Sequence, residues 1–400
     1  MNKKISLGVA ISLVAIGCAI TFVLTWTVSL NIYNSKISSV DKYDDVYDKI
    51  LQMDAVVRNN YIGTPDDDAI QNGILNGYVG GLGDENAAYM QPNAFYQKQQ
   101  IESGVVTGAG FDAYEDGSGY LVVSAVYLNS SADNNGMRPG DIITEIDGRS
   151  VMLMESGTAL ERLSGEIGTQ MTVKYLREGD IYTANLIRQQ IEIESVTEEM
   201  LDRKVGYIRI TSFNQKTAEQ FSRAFNTVLS NNATALIIDV RQNSGGVYSA
   251  VKPMVNRIIP AATVASAEYK NGTVRPLIET DSEQQLDIPI AVLIDSKTAA
   301  AAELFAVALK DGGSAVLVGT QTAGKAVILT TYEFPDGTAL TVPTATIVPS
   351  RSEPYNGVGL KPDYAVELAA GTSVDYLEHD ADTQLIKAIE VLVYDPAEPE

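Results

Sequence analysis

Ala235-Leu236-Ile237-Ile238-Asp239-Val240 runs straight into Arg241-Gln242-Asn243-Ser244-Gly245-Gly246. The first six residues are apolar except Asp239 and show no polar alternation, the pattern of a strand buried on both faces. The glycine pair then turns the chain toward a helix. Ile290-Ala291-Val292-Leu293-Ile294 repeats the arrangement, with a helix expected from about Ala299 to Leu309, and Ala315–Val318 reads as a further short strand. Upstream, Val205–Ile210 is a strand, and Thr217-Ala218-Glu219-Gln220 reads as a capping box opening a helix that reaches Leu229. Pro335-Asp336-Gly337-Thr338 is a hairpin turn. Strands alternating with helices predict an α/β core with a largely parallel sheet, whose functional loops lie beyond the strand C-termini.

Before this core the pattern changes to strands and turns. Gly108-Ala109-Gly110-Phe111 leads into an extended stretch, Asp116-Gly117 turns the chain, and Tyr120–Val123 is a strand. Met137-Arg138-Pro139-Gly140-Asp141-Ile142-Ile143 supplies a turn and a second strand; a helix near 156–164 and a strand at Met171–Leu176 complete the unit. The Gly-x-Gly-Phe loop, together with the Arg-Pro-Gly-Asp-Ile-Ile strand, resembles a PDZ domain. That resemblance implies a loop, Gly108, Ala109, Gly110 and Phe111, whose backbone N–H groups receive a peptide's C-terminal carboxylate while the peptide adds as a strand. Taken alone, the two glycines fit a plain turn equally well.

The N-terminal hundred residues read as helical. Lys3 and Lys4 precede an uncharged stretch from Ile5 to about Asn31, longer than the roughly 20 residues that a membrane-spanning helix needs. Positive charge on that side places the N-terminus in the cytoplasm. A cleaved signal peptide fits less well, because the apolar run is long and lacks a small-x-small end. A lipoprotein signal at Cys18 fits less well, because Ala19–Leu24 continues apolar. Tyr43, Val46, Tyr47, Ile50 and Val57 follow at helical spacing. Thr64-Pro65-Asp66-Asp67-Asp68 reads as a helix start with Pro65 in its first turn, and Gly80–Gly83 as its stop. The predicted organisation is an α/β multidomain chain. It comprises a cytoplasmic stub and transmembrane signal-anchor (1–34), a small helical domain (35–104), a PDZ domain (105–190), the α/β core (191–372) and a C-terminal helix with an acidic tail (373–400).

Composition removes whole classes of function. With 51 acids against 29 bases, the net charge of −22 repels phosphates, and no basic stripe offsets it, so nucleic acid is excluded as a partner. One cysteine excludes an internal disulfide and a Cys-based structural zinc site. The lone His379 lies in an acidic C-terminal stretch, which excludes a multi-His metal site and a His-dependent triad; no metal or cofactor is expected. A hydrolase built on this chain needs another base.

The core carries further specific stretches. Gly206-Tyr207-Ile208-Arg209-Ile210, the 239–246 segment, Ala301-Ala302-Glu303-Leu304-Phe305, Val318-Gly319-Thr320-Gln321-Thr322-Ala323-Gly324-Lys325 and Gly359-Leu360-Lys361-Pro362-Asp363 occur in that order. Together with the anchor and the PDZ-like unit, they resemble the C-terminal processing peptidases, serine peptidases of family S41. The resemblance covers about residues 40–392. It implies a Ser–Lys dyad in which a lysine, held neutral by burial, takes the serine's proton. Lys325 matches the family's base; the plain alternative is a solvated surface lysine. Backbone N–H groups near Gly245 or Gly246, and at Ala301, match its oxyanion hole, and the same glycines also fit a tight strand-to-helix turn.

The nucleophile position departs from the family. It holds Ala300, three residues before Glu303, and a methyl group cannot attack a carbonyl. The glutamine that orients the family's lysine is Leu329 here, and the glycine after the lysine is Ala326. Three accounts stand: a serine replaced deliberately, a natural pseudoprotease that lost both groups, or Thr298 or Ser296 acting instead. The last is set back by a shift of two or four positions where an ångström matters. The expected function is that of a membrane-anchored serine endopeptidase of the C-terminal processing type, facing outward from a bacterium-like cell. Its PDZ domain captures unstructured C-terminal tails, and its nucleophile is absent. The alternative is a peptide-binding or scaffold protein. The resemblance leaves room for a homo-oligomer.

Overall fold

The computed structural model describes residues 7–154, 158–283, 286–369, 371–374 and 377–393. The chain divides into two units, Met1–Tyr78 and Val79–Glu400. The first contains α1 (Leu7–Asn60) and most of α2 (Asp67–Gly80). Arg58 joins them by donating to Asp54 Oδ2 at 2.7 Å and Asp67 Oδ1 at 2.5 Å. Asp66 Oδ1 accepts from the Ala69 N–H at 3.0 Å, so Asp66 caps α2, and Thr64 and Pro65 lie outside the helix. Along α1, Ile16, Ile20, Phe22, Val23, Leu24 and Trp26 are each more than half exposed. Among the described residues no helix is long and apolar enough to cross a membrane; Lys3, Lys4 and the start of the expected span lie outside those residues.

The second unit opens with β1 (Ala88–Met90) and α3 (Pro92–Ser103), so the helical segment read over 35–104 is divided between the two units. Next come β2 (Val105–Gly108), β3 (Phe111–Glu115), β4 (Leu121–Val126), α4 (Ser131–Asn134), β5 (Ile142–Ile146) and β6 (Arg149–Ser150). After them lie α5 (Thr158–Leu163), β7 (Gln170–Arg177), β8 (Asp180–Ile187) and β9 (Gln189–Glu192). An antiparallel sheet runs β3-β4-β5-β7-β8, with β6 beside β5, while β2 pairs with β9. Leu121, Val123, Ile143, Ile146, Met171, Val173 and Leu186 fill its core. β3 is an edge strand, open on the side away from β4.

The remainder comprises β10 (Val196–Leu201), β11 (Val205–Ile210), α6 (Thr217–Ser230), β12 (Ala235–Asp239), α7 (Val251–Val255), β13 (Ala262–Tyr269) and β14 (Val274–Thr280). It continues with β15 (Ile290–Ile294), α8 (Ala301–Asp311), β16 (Ala315–Gly319), β17 (Val327–Glu333), β18 (Ala339–Pro349), β19 (Tyr364–Ala365) and α9 (Thr383–Leu392). One sheet runs β10-β11-β12-β15-β16-β19, parallel at every pairing except β10–β11. The pleat sorts its residues by face. Leu236, Ile238, Ile290, Val292 and Ile294 join Phe221, Val228 and α8 in one core, while Ile237, Ala291 and Leu293 meet Leu385 and Ala388 of α9 in another. Both faces of β12 and β15 are therefore covered, which their unbroken apolar sequences require.

A second sheet, β1-β18-β13-β14 with β17 on β18, is antiparallel throughout; the hairpin turn read at Pro335–Thr338 joins its β17 and β18, and its other strands were not foreseen from the sequence. α8 is buried from Ala301 to Leu309 because it makes contacts with β16 on one side and with β13 and β18 on the other. The capping box read over Thr217–Gln220 is absent; the reciprocal pair is Asn214 with Thr217. Asn214 Oδ1 accepts from the Lys216 and Thr217 N–H groups, and the Gln220 side chain turns away to Ser195, Glu192 and Ile193. Asn214 caps this helix because its carbonyl oxygen lies within reach of the orphan amides.

Candidate active site

Three loops follow the C-terminal ends of β12, β15 and β16, and hydrogen bonds knit them together. Asn243 is fully buried: its Nδ2 donates to Ile210 O, its Oδ1 accepts from Gly245 N, and its carbonyl accepts from Ala299 N at 3.0 Å. Asp295 Oδ1 accepts from Gln242 N and Thr298 N, and Thr298 Oγ1 donates to Val240 O at 2.9 Å. Ala323 N donates to Thr298 O at 3.0 Å and brings in the third loop. Thr298 is fully buried with its hydroxyl spent inside this knot, which removes it as a stand-in nucleophile.

Beneath the loops lies a buried ionic cluster. The Arg241 guanidinium, 1% exposed, bonds both oxygens of Asp239 and both of Asp382, and also Gln384 Oε1. Tyr207 adds its hydroxyl to Asp239 Oδ2 at 2.7 Å. Burial, then the neighbouring Asp239 charge, pushes the Tyr207 phenol well above its ordinary pKa. Asp382 also caps α9 through the Gln384 and Leu385 amides, so the C-terminal helix is fastened to the base of the 240–246 loop.

At the top, Glu303 organises the site. Its fully buried carboxylate accepts from Ala300 N (3.0 Å), Lys325 N (2.8 Å), Gly324 N (2.7 Å) and the Thr322 hydroxyl. Ala300 has φ 51° and ψ −113°, a left-handed conformation that an alanine adopts only under strain. Gly245 packs directly against it: a Cβ on Gly245 would fall 2.8 Å from Ala300 Cβ and 2.9 Å from Ala301 N. The Gly245 N–H is taken by Asn243, whereas no backbone carbonyl accepts from Gly246 N or Ala301 N among the described residues. Ala301 begins α8, so its N–H is one of the helix's intrinsic orphans.

A cleft of about 420 Å³ gathers Ala300, Lys325, Leu329, Gly246, Ser244 and Tyr248. The expected site residues Ala300, Lys325, Leu329 and Gly246 thus share one cavity, with Gly245 and Ala301 forming its immediate backing. Lys325 corrects one expectation: its side chain is exposed along the cleft and is not enclosed between apolar stretches. Val327, Leu329 and Thr331, alternate residues of β17, make one wall. Tyr248 donates to Val327 O at 2.6 Å, and burial, then the Glu303 charge, raises its pKa. Lys98 and Glu102 of α3 reach the same cleft. In the sequence Glu303 stands out only as a landmark three residues after Ala300, yet a carboxylate inside an otherwise apolar helix signals a satisfied buried acceptor. His379 lies elsewhere, 3.2 Å from Glu199 and beside the Tyr207 ring.

Gly108, Ala109, Gly110 and Phe111 line a second groove of about 360 Å³ beside the open edge of β3. Gly110 has φ 99°, and a Cβ there would lie 2.0 Å from Ser130 Cβ, so only glycine fits. Leu160 and Leu163 of α5 form the opposite wall, and Gln97, Gln100 and Ile101 of α3 close one side.

Residues 204–366 match peptidase family S41, and residues 122–177 match the PDZ domain. The chain is 29% identical over 339 residues to the carboxy-terminal processing protease CtpA of Bacillus subtilis (strain 168), covering 84% of this chain and 72% of that protein. It is 27% identical over 351 residues to a probable CtpA-like serine protease of Staphylococcus aureus (strain MSSA476), covering 87% and 70%. Among solved structures, a photosystem II D1 C-terminal processing protease aligns with a TM-score of 0.47 and 24% identity, over 79% of this chain and 86% of that one.

Proposed function

From the premise that this chain is a relative of the C-terminal processing proteases, with an S41 segment and a PDZ domain, we propose that it captures unstructured C-terminal tails and holds them without cutting. The observation that carries this reading is Ala300. The backbone there keeps a strained left-handed turn beside two uncommitted amides and Lys325, yet it presents a methyl group. Strain of this kind persists at sites where geometry serves chemistry.

In this reading the tail's carboxylate meets the Gly108–Phe111 loop, and the chain upstream of it lies in the cleft along β17. Gly246 N and Ala301 N form an oxyanion hole, and Lys325 stands where a general base would act on a hydroxyl at position 300. Leu329 offers no side-chain amide to orient the lysine amine. An exposed apolar run from Ile16 to Val28, without a charged residue between Lys4 and Lys36, supports a single-pass anchor with the larger unit outside the cell.

The test compares the full chain with Ala300→Ser and Ala300→Ser/Leu329→Gln on an unfolded protein bearing an apolar C-terminus. The chain itself is expected to bind and not cut, the serine forms to cut, and Lys325→Ala in the serine background to abolish cutting. Cutting by the unaltered chain would overturn the holding reading. Binding without cutting by both serine forms would make the chain a dedicated peptide binder. Release from membranes at alkaline pH would overturn the anchor.

A further inference from the structure

Among the described residues bordering the groove beside β3, Asp112 is the only charged one. The β3–β4 register shifts between Asp112 and Ala113, and the burial pattern shows where Asp112 points. Phe111 and Ala113 are half-buried and pack on the domain core, whereas Asp112 between them is exposed on the other face. Its Oδ2 accepts from the Tyr127 hydroxyl at 2.7 Å, and no cation pairs with it among the described residues. Burial and then the Asp112 hydrogen bond hold the Tyr127 phenol protonated well beyond its usual range, so Tyr127 acts as a fixed donor and fixes the carboxylate in place.

We infer that Asp112 selects tails carrying a basic residue second from the end. This rests on the tail-capture reading. A peptide adding to the open edge of β3, with its carboxylate at Gly110 and Phe111, alternates its side chains in step with the pleat. Its last and third-last residues then share the face of Phe111 and Ala113 and enter the apolar floor with Leu160 and Leu163. Its second-last residue shares the face of Asp112. Cross-strand neighbours of opposite charge attract, and like charges repel. The ligand's own carboxylate would be met by backbone amides, since none of the described residues bordering the groove is a cation.

The experiment measures binding of labelled ten-residue peptides to the full chain by fluorescence anisotropy. The peptides end in an apolar residue and carry Lys, Gln or Glu second from the end; a C-terminally amidated version serves as a control. The free carboxylate is expected to be required, with Lys binding about two- to fivefold more tightly than Glu at low salt. Asp112→Asn, which keeps the acceptor for Tyr127, should level the series while leaving the Gln peptide unchanged, and Asp112→Lys should invert it. Equal binding of the Lys and Glu peptides, or a preference that survives Asp112→Asn, would overturn the inference while tail capture stands. If no free-carboxylate peptide binds, tail capture itself falls, and this inference with it.

Discussion

The backbone N–H of Lys325 donates to Glu303 Oε2 at 2.8 Å, and the same oxygen accepts from Ala300 N at 3.0 Å. A single carboxylate from α8 therefore sets the spacing of the position where a nucleophile would stand and the lysine that would serve it. The other oxygen holds Gly324 and Thr322, so both lone-pair sets are engaged by the same loop system.

Replacing Glu303 by Gln turns one acceptor into a donor that faces other donors in a fully buried place. The expected loss is about 3 kcal/mol, with a visible drop in Tm. Urea unfolding measures it; an unchanged midpoint would mean the carboxylate is not the clasp described.

Ala300 sits at φ 51° without a hydroxyl to justify the strain. Ala300→Gly should raise stability by about 1 kcal/mol, because relief of left-handed strain exceeds the added backbone entropy of the unfolded chain. Denaturant midpoints of the two proteins decide this, and a destabilised glycine form would contradict it.

Arg241→Met removes the sole cation bonded to Asp239 and Asp382 in the described cluster and leaves two buried carboxylates facing each other. A cost of about 3–5 kcal/mol is expected, since breaking one side of a buried pair strands the other charge. The loss should be read by calorimetry together with release of α9, visible as faster amide exchange at Gln384 and Leu385.

Burial raises the pKa of Tyr207, Tyr248 and Tyr355. In the unfolded chain such phenols ionise near about pH 10, so above that pH the unfolded state binds fewer protons and stability falls as pH rises. Below pH 10 their contribution is complete. Absorbance titration should find these phenols silent until the protein unfolds. Tyr355→Phe should flatten the alkaline limb and be neutral or stabilising at pH 7, because its hydroxyl is buried with no partner among the described residues.

The parallel sheet was legible in the sequence because β12 and β15 are buried on both faces, and burial on both faces leaves an unbroken apolar run. The glycines at 110, 245 and 246 were legible because positive φ and close contacts admit no side chain there. The cap of α6 was misread because Thr217-Ala218-Glu219-Gln220 has the right letters, while Asn214 holds the amides and Gln220 is drawn to Ser195. Of the second sheet only the β17–β18 hairpin turn was legible, because β1 and β13 reach β18 from distant parts of the chain.

By itself, then, the sequence determined the alternating strands and helices of the parallel sheet, the two recognisable segments and the methyl group at position 300. Those depend on local propensity, burial pattern and residue identity. Only the tertiary structure decided that Glu303 ties Ala300 to Lys325, that Lys325 faces solvent, and that Asp112 is the one charged residue among those described at the border of its groove. These are relations between loops brought together by packing, and no local pattern encodes which donor a buried carboxylate will meet.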